Sequence, residues 1–394
     1  MQTGDIKLIK NINVRLVLNL IRKHESISAA ELAKITGMRP STISNIVKEL
    51  LEKELIVKQG KGESTEKGGK RPILLGLNTE GKYFIGLDIE IGMITVVLLD
   101  LTGQIEYKSK RKVDFKDDLG ILVQEIIDSV NCVIDKQNLE KEEILGIGIA
   151  IAGIVNINDG YVSQSDILSE TNFSLLEKIE KQFDIPVMLD NNANASAIGA
   201  KWVGAAKECN NFITILIEIE QNVGGLGIGL ILNGELYKGA TFGAGELNIK
   251  LPTLHDTIFT QEVLLEKGIE LKKYKQNLKD IDIDIMVKAV KMGDEVAKKY
   301  FRILGNRLGK MLAYPISMVN PEKLVIAGEV AEAGDALIKP IEEQFSLEML
   351  PIIEENLEIV TNQYGKYSVA IGAASLIIDE FFKVPVVKSS KVKV

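Results

Sequence analysis

The stretch Ser28–Leu51, SAAELAKITGMRPSTISNIVKELL, predicts two short helices crossing at a tight glycine turn. Ser28 is placed to cap the first helix, and Glu31, three residues on, completes a capping box. Leu32 and Ile35 are expected to face inward, with Ala33 small enough for the second helix to cross close by. Gly37 ends the first helix where the turn needs a positive φ or a missing side chain. Pro40 fits the first turn of the second helix, where its absent N–H costs nothing. There Ile43, Ile46, Val47 and Leu50 repeat at helical spacing as a buried stripe. The opposite face carries Ser41, Ser44, Asn45 and Lys48, with Thr42 beside them and Arg39 at the entrance.

Those side chains suit double-stranded DNA, since Asn can bridge adenine while Ser, Thr, Lys and Arg reach phosphate or guanine. An upstream helix from about Asn11 to Lys23 offers Val14, Val17, Leu18 and Ile21 as a third packing face. After the second helix, Glu54–Lys58 reads as a strand, and a polar turn leads to another at Ile73–Leu75. Together these make a winged helix-turn-helix. The plainer alternative is a three-helix module that packs on another protein. The polar, glycine-rich segment Lys61–Pro72 reads either as a simple wing or as one whose Lys70–Arg71 pair touches the minor groove or backbone.

With 394 residues, 26% charged and 46% hydrophobic, the chain has room for two or three domains with sizeable cores. No apolar run approaches the roughly 20 residues of a membrane span, and no signal-peptide core opens the sequence, so a cytoplasmic protein without a membrane partner is expected. Cys132 and Cys209 fit no metal or redox spacing and read as buried thiols. His24 and His255, the only histidines, read as ordinary surface or packing residues. Charge is unevenly divided. Residues 1–75 hold 14 Lys and Arg against 8 Asp and Glu, a net of about +6, so with −8 overall the remainder carries about −14. A basic head on an acidic body favours DNA docking through the head alone, weakening steeply with salt.

From Tyr83 onward the texture changes to buried strands. Tyr83–Ile89 and Met93–Asp100 form a hairpin, a helix spans about Leu119–Gln137, and Ile144–Ile151 is a further strand. The alternation recurs with Phe212–Ile219, Leu226–Leu232 and Leu324–Ala327. Two sheet-and-helix lobes are implied, each opening with a hairpin, in an α/β body.

The body resembles the ROK family, bacterial sugar kinases and sugar-responsive repressors built on the actin-like ATPase fold. The residues that carry the resemblance are GLDIEIG at 86–92 with DLTG at 100–103, GIAIAGIV at 148–155, DNNANASAIGA at 190–200, VGGLGIGLILNGELYKGATFGAGEL at 223–247 and NPEKLVIAGEVAEAG at 320–334. The attached winged head is similar to the family's repressor branch, xylose repressors included. The resemblance implies a head at 1–78 and a body at 79–394. A first lobe of about 79–190 would take back a C-terminal helix at about 367–383, with a second lobe at about 191–366.

Set against the family's kinases, the phosphoryl-transfer parts are altered. The catalytic aspartate of their NDAN-like motif is matched by Asn192, and an amide cannot take a proton as a carboxylate does, although it still hydrogen-bonds to hydroxyls. The DxGxT phosphate loop becomes Asp88–Gly92, with Glu90 where a small residue would admit a phosphate. The GTG loop becomes Val223-Gly224-Gly225, without its hydroxyl. The GEIGH motif becomes Gly245-Glu246-Leu247-Asn248-Ile249, keeping the glutamate but not the histidine. With two phosphate loops altered no nucleotide cofactor is expected, and because residues 250–262 lack cysteine and the motif lacks its histidine no structural zinc is expected either.

The retained cleft would be lined by Asn191, Asn192 and Glu246 with Gly153 close by, a set suited to a sugar or polyol. On the plainer reading, the two asparagines cap a helix over Ala193–Val203 and Glu246 belongs to a helix N-terminus. The expected protein is a sugar-responsive repressor without catalytic residues, acting as a homodimer or dimer of dimers on operator DNA. The rivals are an active sugar kinase with a regulatory head and a ligand-independent DNA-binding protein.

Overall fold

The structure is a computed structural model and describes residues 3–62, 71–165, 167–219, 224–247, 249–252 and 282–385. Lys70, Val223, Asn248, His255 and most of 250–262 lie outside the described residues.

The head begins with α1 (Thr3–His24), longer at its start than the predicted helix, followed by β1 (Ile27–Ser28), α2 (Ala29–Thr36), α3 (Pro40–Glu52), β2 (Ile56–Lys61) and β3 (Ile73–Leu77). Ser28 and Glu31 form the full capping box, and Gly37 closes α2 at φ 68°. The strands pair antiparallel in the order β1-β3-β2. Strands β2 and β3 are antiparallel partners within the head, and residues 63–70 between them lie outside the described residues. Ile35 corrects the expectation of an inward residue, with 51% of its surface exposed. Helix α2 is only two turns long, and Met38, just past the turn, packs on the head's apolar cluster instead.

The first body sheet comes from β4 (Tyr83–Glu90), β5 (Met93–Asp100), β6 (Ile105–Lys112), α4 (Leu119–Gln137) and β7 (Ile144–Ile151). Asp118 caps α4 by accepting from the Ile121 amide, and Asn138 ends it in the left-handed region. A small antiparallel sheet of β8 (Ile154–Asn156), β9 (Tyr161–Gln164) and β10 (Phe173–Ser174) follows, then α5 (Leu176–Phe183), β11 (Val187–Asn191) and α6 (Asn192–Trp202). The sheet runs β11-β7-β4-β5-β6, with β11, β7 and β4 parallel. Cys132 corrects its expected burial, since it lies on the outer side of α4 while Ser129, Val130 and Val133 face the core.

The second sheet repeats the plan. Strands β12 (Phe212–Ile219) and β13 (Gly224–Leu232) form its hairpin and β14 (Glu235–Leu236) an edge. Helices α7 (Ile283–Lys291) and α8 (Glu295–Val319) come before β15 (Lys323–Ala327). Next are α9 (Asp335–Glu348), α10 (Pro351–Glu354), β16 (Glu358–Thr361) and α11 (Ser368–Phe382). The order is β14-β13-β12-β15-β16, with β12, β15 and β16 parallel. Gly224 and Gly225, expected in a loop, are strand residues paired with Ile219 and Glu218.

Helices α6 and α11 cross between the sheets. A Cβ on Gly372 would overlap the Ala195 carbonyl oxygen, and one on Gly199 would crowd the Gly372 Cα, so these glycines set how closely the helices approach. A single apolar cluster runs from the head into the body, joining Val17, Leu18 and Ile21 of α1 to Phe84, Ile378 and Phe382. Burial of such side chains stabilises by about 1.5–3 kcal/mol each, which holds the head against the body. No helix among the described residues is long and apolar enough to cross a membrane.

Candidate functional site

In the head, Ile43, Ile46 and Leu50 hold α3 down, with Val47 half-buried. This turns Ser41, Ser44, Asn45 and Lys48 outward at positions i, i+3, i+4 and i+7, along one exposed face. Arg39 stands exposed at the N-cap without a side-chain cap bond, and Thr42 is half-buried beside it. Lys48 forms an exposed ion pair with Glu52 at 3.7 Å, which water and salt screen. Arg71 is exposed.

In the body, β11 delivers Asp190 and Asn191 to the mouth between the sheets, and α6 starts at Asn192. The Asn191 side chain accepts from the Ala193 and Asn194 amides, so it does cap α6. Its Nδ2 also donates to the Gly153 carbonyl at 2.6 Å and to Glu246 Oε1 at 3.3 Å. Gly153, Asn191 and Glu246 are therefore joined in one network, and Glu246 lies in a turn rather than at a helix N-terminus. Asn192 is directed elsewhere. Its Nδ2 donates to both carboxylate oxygens of Glu218, at 3.2 and 3.3 Å.

Sequence reasoning missed Asp190, Lys238 and Glu218. Asp190 is buried and accepts from Lys238 Nζ at 2.5 Å and from Asn194 Nδ2 at 2.9 Å, which fixes the start of α6. The aspartate was visible within DNNAN; its partner lysine, 48 positions on, gave no local signal. Glu218 is the one charged residue of β12, and that exception was its only mark.

Asp88 and Glu90 line the neighbouring cavity with Lys110 and Glu329. Glu90 pairs with Lys110 at 3.2 Å. Burial, reinforced by Glu90 and Glu218, pushes the Asp88 carboxyl well above the usual range. Burial, with Asp284 and Glu90, likewise raises Glu329. A polyphosphate entering this cavity would meet Glu90 and Glu218 and would further oppose ionisation of Asp88 and Glu329.

At its far end α6 finishes in Trp202. The indole Nε1 donates to Asp379 at 2.7 Å, and the Arg22 guanidinium of the head lies 4.3 Å over the ring. Arg15 donates to the Glu380 and Lys383 carbonyls, and Asn19 to that of Phe382, so α1 is bound to the end of α11.

The MarR family sequence pattern matches residues 11–64, the span of the helix-turn-helix. The xylose repressor of Bacillus spizizenii is 28% identical over 395 residues, covering 98% of this chain and 99% of its own. The transcriptional dual regulator NagC of Escherichia coli is 26% identical, covering 95% and 94%. A solved ROK family transcriptional regulator, a homologue of the E. coli MLC protein, superimposes with a TM-score of 0.72 at 25% identity over 95% of this chain and 97% of its own. The ROK family pattern itself matches residues 84–249 and 261–380, taking in both sheets and both central helices, and the chain belongs to the ROK family.

Proposed function

We propose that this chain is a cytoplasmic, sugar-responsive transcriptional repressor. Its α3 face reads operator DNA through Arg39, Ser41, Thr42, Ser44, Asn45 and Lys48, together with Arg71 and its sequence neighbour Lys70. Its effector is a sugar or sugar derivative held by Asn191, Glu246 and the Gly153 turn, with Asn192 at the edge of that cleft. The head-to-tail coverage of repressors, winged head included, supports this reading.

The observation that carries it is the run of α6. This helix of 11 residues begins at the candidate cleft and ends at the tryptophan on which the head's Arg22 rests, a rise of about 16 Å. A ligand that shifts Asn191 against Glu246 moves a rod whose other end touches the head. Two such heads on a homodimer, or a dimer of dimers, would be re-spaced on a two-fold operator, biasing bound against free populations. No phosphoryl transfer is part of this function. Asn192 cannot act as a base, and its amide is engaged with Glu218.

The test begins with sequences enriched from a random DNA pool by the full chain. Fluorescence anisotropy at fixed salt then follows their release over a panel of pentoses, hexoses and N-acetylated hexosamines. One sugar should weaken operator binding by about tenfold or more, within the usual range of allosteric coupling. Sequence-specific binding that ignores the whole panel would instead identify a ligand-independent DNA-binding protein.

A further inference from the structure

The cavity beside the candidate sugar cleft, of about 420 Å³, lies in the size range of small-molecule sites, roughly 300–1,000 Å³. Its walls are largely aliphatic, with Ile89, Met93, Leu216 and Val330 among them. Among the described residues Asp88, Glu90, Glu218 and Glu329 line it with two cations, Lys110 and Lys366. Lys110 is engaged with Glu90. Glu218 accepts the two hydrogen bonds from Asn192. Asp88 is different. It is 3% exposed, it lines the cavity, and its Oδ1 is buried with no hydrogen-bond partner among the described residues.

A buried carboxylate oxygen without a partner costs free energy that only a donor can recover. An anionic ligand offers Asp88 no donor and would further oppose its ionisation, and a neutral apolar one would leave Asp88 as it is. Among the described residues no group of three or more acidic, His or Cys side chains is arranged to hold one metal ion. The carboxyl groups interact with one another beside a largely aliphatic wall, which suits a ligand with a cationic head and an apolar body.

We propose that this cavity binds a small organic cation, a protonated amine on an apolar body, with its ammonium group at Asp88. The ammonium donates to the Asp88 carboxylate, while the hydrocarbon or aromatic part covers the aliphatic wall. Glu329, on the 3-10 turn Glu329–Ala333, contributes a second carboxylate facing the same space. Binding of a cation favours ionisation of both groups. Asp88 is held protonated by burial and by Glu90 and Glu218, against Lys110. Glu329 is held so by burial with Asp284 and Glu90, against Lys110 and Lys366. The amine should therefore release protons as it enters, at pH values between the ordinary carboxylate range and these raised ones.

Isothermal titration calorimetry of the full chain with tryptamine, phenethylamine and cadaverine tests this. Indole-3-propionate serves as the anionic match to tryptamine, and magnesium-ATP as the polyphosphate. At least one amine should bind saturably, with proton release revealed by repeating the titration in buffers of different ionisation enthalpy, while the two anions give no binding heat. Asp88→Asn should weaken the amine by about tenfold or more, and Glu329→Gln should weaken it as well. A melting curve checks each variant's fold, and if Asp88→Asn does not fold, Glu329→Gln decides. The proposal fails if none of the amines binds, if indole-3-propionate binds as well as tryptamine, or if folded variants keep the parent's affinity. No sugar enters this titration, so a chain that answers to no sugar still tests it.

Discussion

The Arg22 guanidinium of the head lies 4.3 Å from the centroid of the Trp202 ring, at the end of the helix that starts in the candidate ligand cleft. The same indole is fixed by Asp379, which also takes Lys201 at 3.2 Å. Burial lowers the Arg22 pKa, opposed by Asp379 and Glu208. A partly desolvated cation over an indole contributes about 0.5–2 kcal/mol. Arg22→Met keeps most of the stem packing and removes the charge, so it should lower stability by about that amount. More tellingly, it should reduce the effect of sugar on DNA affinity. Trp202 is the chain's single tryptophan, so its emission reports this joint directly. Sugar addition should shift that emission in the parent, and an unchanged spectrum alongside clear DNA release would mean that the signal takes another route.

The exposed face of α3 separates base reading from phosphate contact. Asn45→Ala should relax base preference at one position, costing about 1–3 kcal/mol there if its amide bridges an adenine. Lys48→Ala gives up a screened pair with Glu52. It should weaken all sequences alike and reduce the salt slope by about 1. Competition binding on single-base variants of the selected operator, at several salt concentrations, measures both effects. Parent-like behaviour in both variants would place the reading surface elsewhere on the head.

Local signals explain which parts of this architecture were legible in the sequence. The bounds read for Leu119–Gln137, Ile144–Ile151, Met93–Asp100 and Phe212–Ile219 coincide with the observed elements. Each is a long apolar or amphipathic run ended by a cap or turn residue. Strand β6, Ile105–Lys112, was not legible, because its charged alternation on a sheet edge reads as a solvated loop. The Asn191–Gly153–Glu246 network was legible from its motifs, whereas Asn192's engagement with Glu218 depends on how two lobes face each other. The joint was hidden for the same reason. Trp202 and Asp379 stand 177 positions apart and meet only because α6 crosses α11.

That crossing makes its own prediction. Gly372→Ala puts a methyl group onto the Ala195 carbonyl, and both helices are packed on sheets that resist retreat. Overpacking of this kind costs about 1–3 kcal/mol, visible as a lower midpoint in denaturant. Because α6 is the proposed coupling rod, the variant should also blunt the sugar response. Unchanged stability would show that the two helices have room to separate.

Asn192→Asp restores the carboxylate of the family's kinases at a position only 8% exposed. It also removes the two hydrogen bonds that Asn192 donates to Glu218 and sets two carboxylates at about the 3.2 Å separation now bridged by the amide. Such a pair cannot readily ionise twice, so one member holds its proton with a pKa raised above the unfolded value. The sign follows from linkage. This contribution to stability is fully present below the unfolded carboxylate pKa and is lost as pH rises through the raised folded value, at about 1.4 kcal/mol for each pH unit between the two. The parent already carries part of this slope through the raised Asp88. Calorimetric melting should therefore give similar midpoints for parent and variant in acid, with the variant falling progressively lower toward alkaline pH. A coupled ADP-release assay over the same sugars should show turnover in neither protein, because restoring a base does not relieve the carboxylates where phosphates would lie. Clear turnover in the parent would identify it as an active kinase. An Asn192→Asp protein as stable as the parent at alkaline pH would mean that Glu218 and residue 192 separate freely.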